Sequence, residues 1–449
     1  MSLERKRMAM LAIGAAALIL IAAVVVAASR NPEPVPPATL AAAEAASPTP
    51  PPTATAMDEP QPTMPATATA TDTASPTSRP TATVTAEPTA DAESQTDDER
   101  PRRLRAATSS WNTNWQRHTV PYDELRSGGP PRDGIPSIDD PHFIGQESAA
   151  EWLTGNEPVI ALELNGEARA YPLQILIWHE IVNDEVGGVP MAVTFCPLCN
   201  AAITFDRQLD GQVYEFGTSG LLRNSDLVMY DRTTESLWQQ FTGEGIVGDM
   251  AGRKLTFLPS SIVSFDDFRQ AHPEGVVLSR ETGHSRRYGE NPYAGYDRIG
   301  QSPFLFDGPE DDRLPAMERV VAVEINGLDV AYPFSLLAEQ GAINDSRAGR
   351  DLVVLHEPGT SSALGAGVIA EGEDVGATGV FDANLDGQKL TFRRQDGALI
   401  DDQTGSTWNV LGQAIDGPLG GQRLEPIVHG SHFWFAWAAF KPDTIVYQP

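Results

Sequence analysis

The only two cysteines of the chain stand in one tetrapeptide, Cys196-Pro197-Leu198-Cys199. Two cysteines in 449 residues exclude a disulfide-stapled scaffold, and their clustering gives them a local task. A Cys-x-x-Cys turn supports three kinds of chemistry. It can close a disulfide, cycle between dithiol and disulfide, or hold a metal through thiolates.

The flanking residues bear on that choice. Where such a pair cycles at a helix N-terminus, the helix lowers the pKa of the first thiol. Here Val189 to Phe195 and Ala201 to Phe205 have the pattern of strands, which argues against a thioredoxin-like arrangement. A Cys-Pro-x-Cys turn between strands is half of a zinc knuckle, but a structural zinc site needs four ligands and the chain has no second knuckle. His179, in Trp178-His179-Glu180-Ile181-Val182-Asn183-Asp184, is the candidate third ligand. It would leave an open position, as in catalytic or copper-handling sites. In a redox pair the same imidazole would tune the thiolate, with Asp184 or Asp226 orienting the ring. A histidine beside a tryptophan on a short helix is more often a hydrogen-bonded core residue.

Other positions carry weaker signals. His429 and His432 precede Phe433-Trp434-Phe435-Ala436-Trp437 and could bind metal, or could anchor a loop ahead of an aromatic core helix. The polar run from Phe216 to Arg232 either lines a pocket, with Asp226, Asp231 and Arg232 facing a ligand, or forms a hairpin whose charges pair internally. No Gly-x-Ser-x-Gly, Gly-x-x-x-x-Gly-Lys or His-Glu-x-x-His occurs, so the common hydrolase and nucleotide-binding signatures are missing.

The elements that must position these groups recur along the chain. Glu163-Leu-Asn-Gly-Glu-Ala-Arg-Ala-Tyr-Pro172 matches Glu324-Ile-Asn-Gly-Leu-Asp-Val-Ala-Tyr-Pro333, and Val182-Asn183-Asp184 matches Ile343-Asn344-Asp345. Thr234 to Trp238 matches Thr404 to Trp408, and His272-Pro273 matches Lys441-Pro442. Two copies are too few for a solenoid and predict two homologous lobes, 106–310 and 311–449. In the second copy Gln340 replaces His179, and His356 to Gly359 replaces the cysteine turn. The paired loss of His179 and the cysteines predicts a shared role in the first lobe. Val159 to Leu164 ends in Asn165-Gly166, a hairpin signal, while helical patterns are few and short: Leu173 to His179, Ser264 to Ala271 and Phe433 to Phe440. The expected fold is a β-rich α+β protein.

At the N-terminus Arg5, Lys6 and Arg7 precede an apolar run from Met8 to Ala28. At about 1.5 Å per residue it can cross a hydrocarbon layer of about 30 Å, and the basic flank keeps the N-terminus cytoplasmic. The expectation is a membrane anchor over 1–30, or a signal peptide cleaved near Val26-Ala27-Ala28, with the rest outside the cytoplasm in either case. Residues 31–105 are rich in Pro, Thr and Ala and predict a disordered linker. The net charge of −29, from 61 acidic and 32 basic residues, repels phosphate backbones, so nucleic acid is excluded as a partner.

Together these motifs resemble the family called domain of unknown function 3179. The resemblance runs through Tyr171-Pro172, Trp178 to Asp184, Thr194 to Cys199, Gly217 to Leu222, Met229 to Arg232 and Glu235 to Trp238. It brings no established activity. Selenoprotein-like members of that family imply redox chemistry at a position such as Cys196 or Cys199. The leading expectation is therefore an extracytoplasmic thiol-redox protein acting on a redox partner through Cys196, Cys199 and His179, with Asp184 and Asp226 in support. The alternatives are a copper or zinc module using Cys196, Cys199 and His179, and an adhesion ectodomain with a structural disulfide.

Overall fold

A computed structural model describes residues 99–449. The expected membrane anchor and most of the expected linker, through residue 98, lie outside the described residues. Among the described residues no helix is long and apolar enough to cross a membrane. The last residues of the expected linker are built into the fold. Arg102–Ala107 is a helix whose Leu104 packs among Trp111, Tyr122 and Leu221.

The chain is β-rich with few short helices, as expected. Pro158–Leu164 and Glu167–Pro172 form a hairpin through Asn165 and Gly166, both at positive φ (50° and 83°). That is the geometry a two-residue turn requires, and Asn-Gly supplies it at little steric cost. The hairpin is the centre of a five-stranded sheet. Ser261–Ser264 adds antiparallel on one side, Val276–Leu278 parallel on the other, and Phe143–Gly145 lies at the edge. The helix Leu173–His179 follows directly, its apolar run Leu173, Ile175, Leu176 and Ile177 wholly buried.

A second sheet has the order Thr256–Leu258, Ala201–Asp206, Val189–Cys196, Ile181–Val186. A third contains the hairpin Phe216–Arg223 and Asp226–Asp231, continued by Leu237–Gln239 and Glu244–Val247. The charged polar run therefore takes the hairpin form.

The later part of the chain has sheets of the same order. His429–Phe433, Arg319–Ile325, Leu328–Pro333 and Ile445–Val446 pair antiparallel, antiparallel and parallel, like the four strands of the first sheet from Ser261–Ser264 to Val276–Leu278. Ala342–Arg347, Arg350–Glu357 and Ala377–Asp382 follow the helix Phe334–Gln340, which the sequence patterns had not singled out. His429 and His432 lie on a strand, where a loop was expected, and the aromatic helix runs Trp434–Phe440. Residues of both parts share one apolar core in which Phe195 and Ala192 join Phe433 and Trp434.

Candidate functional site

The cysteine turn is a tight connection between two antiparallel strands. Cys196 pairs with Ala201, and between them Pro197–Cys199 makes a single 3-10 turn with proline at its first position. Asn200 closes the turn in the left-handed region, φ 51° and ψ 32°, a conformation Asn tolerates better than most side chains. The strand after Cys199 confirms that no helix begins at the second cysteine. Both thiols are free, with Cys196 2 % and Cys199 0 % exposed.

Two amide side chains dock a neighbouring hairpin onto this turn. Asn183 donates to the Phe216 carbonyl at 2.8 Å and accepts from the Phe216 N–H at 3.0 Å, so the second sheet grips the start of the Asp226 hairpin. Gln240 donates to Thr194 Oγ1 at 2.9 Å and to the Ala201 carbonyl at 3.1 Å, gripping both strands of the cysteine hairpin. The connection Asn224-Ser225, both at positive φ, turns the chain so that the Ser225 carbonyl lies 3.9 Å from Cys196 Sγ and Asp226 follows at once.

The result is a compact donor set. A sulfur from Cys196, a sulfur from Cys199 and a carboxylate oxygen of Asp226 all lie within 4.8 Å of one another, and all three residues are buried. Asp226 Oδ2 accepts from Gln239 Nε2 at 2.6 Å and from the Phe241 N–H at 3.0 Å, while its Oδ1 is buried with no partner among the described residues. Burial pushes the Asp226 carboxyl up to about 7, against the opposing contacts of Gln239 and Phe241. Burial likewise raises both thiols, Cys199 well above its ordinary range.

Glu180 joins the same neighbourhood. Its carbonyl accepts from the Phe195 N–H at 2.8 Å, which sets it beside Cys196. Burial, with the Asp226 charge adding to it, pushes its carboxyl up to about 8. This residue was missed in the sequence, although it is part of the Trp178 to Asp184 run. The repeat held a usable signal, because Gly341 stands at the matching position.

His179 is placed elsewhere. Its Nδ1 meets the Pro136 carbonyl and its Nε2 the Tyr288 hydroxyl, each at 2.7 Å, and that hydroxyl continues to Thr282 Oγ1 at 2.6 Å. Both ring nitrogens are thus engaged away from the sulfurs, and burial pushes the imidazole down to about 4. The donor set is completed by a carboxylate in place of the expected imidazole. The reason is that His179, the last residue of its helix, is held by Pro136 and Tyr288, while Asp226 opens the strand that follows the Asn224-Ser225 turn beside Cys196.

Asp184 is also committed elsewhere, to Arg169 Nη1 at 2.6 Å and the Tyr171 hydroxyl at 2.5 Å. Asp231 accepts from Thr234 and Trp238, and Arg232 reaches Asp133, Ser137 and Asp139. His429 Nδ1 contacts the Ile427 carbonyl at 2.8 Å, and its Nε2 lies 3.4 Å from Ser261 Oγ. His432 stacks on Trp437 at 5.8 Å and 3°. Burial pushes its imidazole down to about 3. These two histidines pack and anchor; the described structure gives them no shared ligand partner.

A cleft of about 500 Å³ reaches the outer side of the cysteine turn at Leu198, between Tyr293, Tyr296 and Phe304. The Tyr296 hydroxyl accepts from the Phe304 N–H at 3.1 Å, closing the covering segment on itself, and the Ser225 hydroxyl donates to the Phe304 carbonyl.

Fold and site together define a β-rich protein with a buried thiol–carboxylate cluster beneath an aromatic cover. Over residues 132–444, most of the chain, it matches the family model described as protein of unknown function (DUF3179). The chain belongs to that family. No curated protein and no solved structure matches it.

Proposed function

We propose that this chain is a metal-binding protein that holds one divalent cation, zinc by the nature of its donors, through Cys196, Cys199 and Asp226. The observation that carries this is the approach of two sulfurs and a carboxylate oxygen to within 4.8 Å of one another in a buried position. Zinc binds sulfur at about 2.3 Å and carboxylate oxygen at about 2.0–2.2 Å, so modest side-chain movement would close these donors on one ion. Copper(I) favours thiolate and thioether donors, and the carboxylate shifts the preference to zinc. Without a cation the cluster is electrostatically poor, because burial acts against every charged form. A divalent ion offsets that cost.

The second reading is thiol redox chemistry, favoured by the Asp226 carboxyl near 7 beside the two thiols. There Cys196 and Cys199 would lose two protons and two electrons to a disulfide-bearing partner, becoming a disulfide as the partner's disulfide becomes two thiols. Asp226 would take a proton from the attacking thiol and pass it to the partner's leaving thiolate, so that both protons end on the partner. Burial of both sulfurs weighs against it, since exchange needs an exposed sulfur. A purely structural disulfide is the third account.

We further infer that the globular region arose by internal duplication. The shared sheet order supports this, as do matching bonds. Asn344 holds the Phe392 backbone as Asn183 holds Phe216, and Asp401 meets Trp408 as Asp231 meets Trp238. The basic flank and apolar run near the N-terminus support a membrane-anchored, extracytoplasmic placement. Metal analysis of the purified protein with counting of free thiols separates the three readings: bound zinc with two thiols, two thiols without metal, or none.

A further inference from the structure

We propose that Glu180 supplies a fourth donor to the Cys196, Cys199 and Asp226 site, making it a closed centre for a divalent cation with no position left for water. This rests on the metal reading above and adds the residue that decides what kind of site it is.

Three observations converge on Glu180. The first is its backbone. It caps the helix Leu173–His179 at φ 59° and ψ −28°, and the equivalent cap of the helix Phe334–Gln340 is Gly341 at φ 74°. Glycine is the ordinary residue at such a cap, because a Cβ crowds the following carbonyl in the left-handed region. A glutamate here keeps a backbone strain that its counterpart avoids, and such outliers concentrate at functional sites.

The second observation is an uncompensated carboxylate. Glu180 is 8 % exposed, and no hydrogen bond or cation among the described residues offsets the burial of its carboxyl. Buried carboxylates are ordinarily paired, hydrogen-bonded or bound to a cation. The third observation is position. The bond from the Phe195 N–H to the Glu180 carbonyl fixes the residue one step from Cys196, and its charge bears on both Asp226 and Cys196. The carboxylate lies outside the tight three-donor group, so its side chain must turn toward the sulfurs when the ion binds.

Two thiolates and two carboxylates around a divalent ion carry the same formal charge as a four-cysteine zinc site, a common structural arrangement. Four protein donors exclude the bound water that a catalytic zinc retains. The centre would therefore hold its ion for stability or storage and would not activate water.

The test uses the full-length protein and Zn²⁺ titrated against a chromophoric chelator, with Co²⁺ absorption reporting coordination. Glu180→Gly should raise the thermal midpoint of the metal-free protein by relieving the cap, and weaken Zn²⁺ binding by about tenfold or more. Glu180→Gln should weaken binding similarly without altering the backbone, and should change the Co²⁺ spectrum. If both variants bind Zn²⁺ within about twofold of wild type, Glu180 is not a donor and this inference falls while the three-donor site stands. A wild-type protein that binds no Zn²⁺ overturns the underlying site and this inference with it.

Discussion

The imidazole of His179 and the hydroxyl of Tyr288 lie 2.7 Å apart, in a chain that runs on to Thr282, and the other ring nitrogen rests on the Pro136 carbonyl. His179 therefore ties its helix to two distant segments. Replacing it with alanine should destabilise the protein by about 2–4 kcal/mol, through lost packing and orphaned partners, in chemical denaturation. Zn²⁺ affinity should stay within about threefold of wild type, since the ring does not face the sulfurs.

The same residue gives a pH signature. The folded chain holds the His179 imidazole near 4, below its ordinary value of 6.5. Between those values the unfolded chain binds the extra proton, so stability falls as the pH drops through that window. His179→Gln should flatten this slope in urea denaturation between pH 6.5 and pH 4. An unchanged slope would show that the ring is not buried neutral.

Glu180 acts with the opposite sign. Its carboxyl is held near 8 in the folded chain, against an ordinary 4.5. The folded state then binds more protons across that interval, and stability falls as the pH rises through it. Above about pH 6.5 the histidine contribution is complete, leaving the carboxylates in view. Metal-free wild type should lose stability between pH 6.5 and pH 8, and Glu180→Gln should lose less. Saturating Zn²⁺ should raise the stability at pH 8 most, because the ion favours the charged donors there.

Asp231 and Asp401 offer a test of common ancestry in the two parts of the chain. Each is buried, and each accepts from a threonine three residues on and a tryptophan seven residues on. Asp231→Ala and Asp401→Ala should each cost about 2–4 kcal/mol, because charge-assisted bonds are lost and buried donors orphaned. Equilibrium unfolding should give similar values for both. A negligible cost at one position would mean that the matching bonds do not carry matching loads.

Much of this arrangement was legible in the sequence because short-range rules determine it. Asn165-Gly166 specifies a hairpin whatever surrounds it, and the alternation on either side of Cys196 and Cys199 specifies strands. The internal repeat revealed that something near His179 was special to one copy. It could not reveal that His179 would be tied to Pro136 and Tyr288, because those bonds join segments far apart in the sequence. Glu180 against Gly341 was the stronger contrast, since it exchanges a backbone-permissive residue for a charged one. Asp226 was singled out with Asp184 as a support for the His179 ring, and its place beside the sulfurs themselves was not foreseen. Its approach to the cysteines depends on Asn183 and Gln240, side chains whose long-range bonds leave no mark in local spacing.

The most direct test of the central claim is elemental analysis of the purified full-length protein, with free thiols counted after denaturation in the presence of a chelator. The account predicts one zinc per chain, two free thiols, and loss of the zinc in Cys196→Ser and Asp226→Asn variants that still fold. A protein free of metal, whose Cys196 and Cys199 are joined in a disulfide, would contradict it.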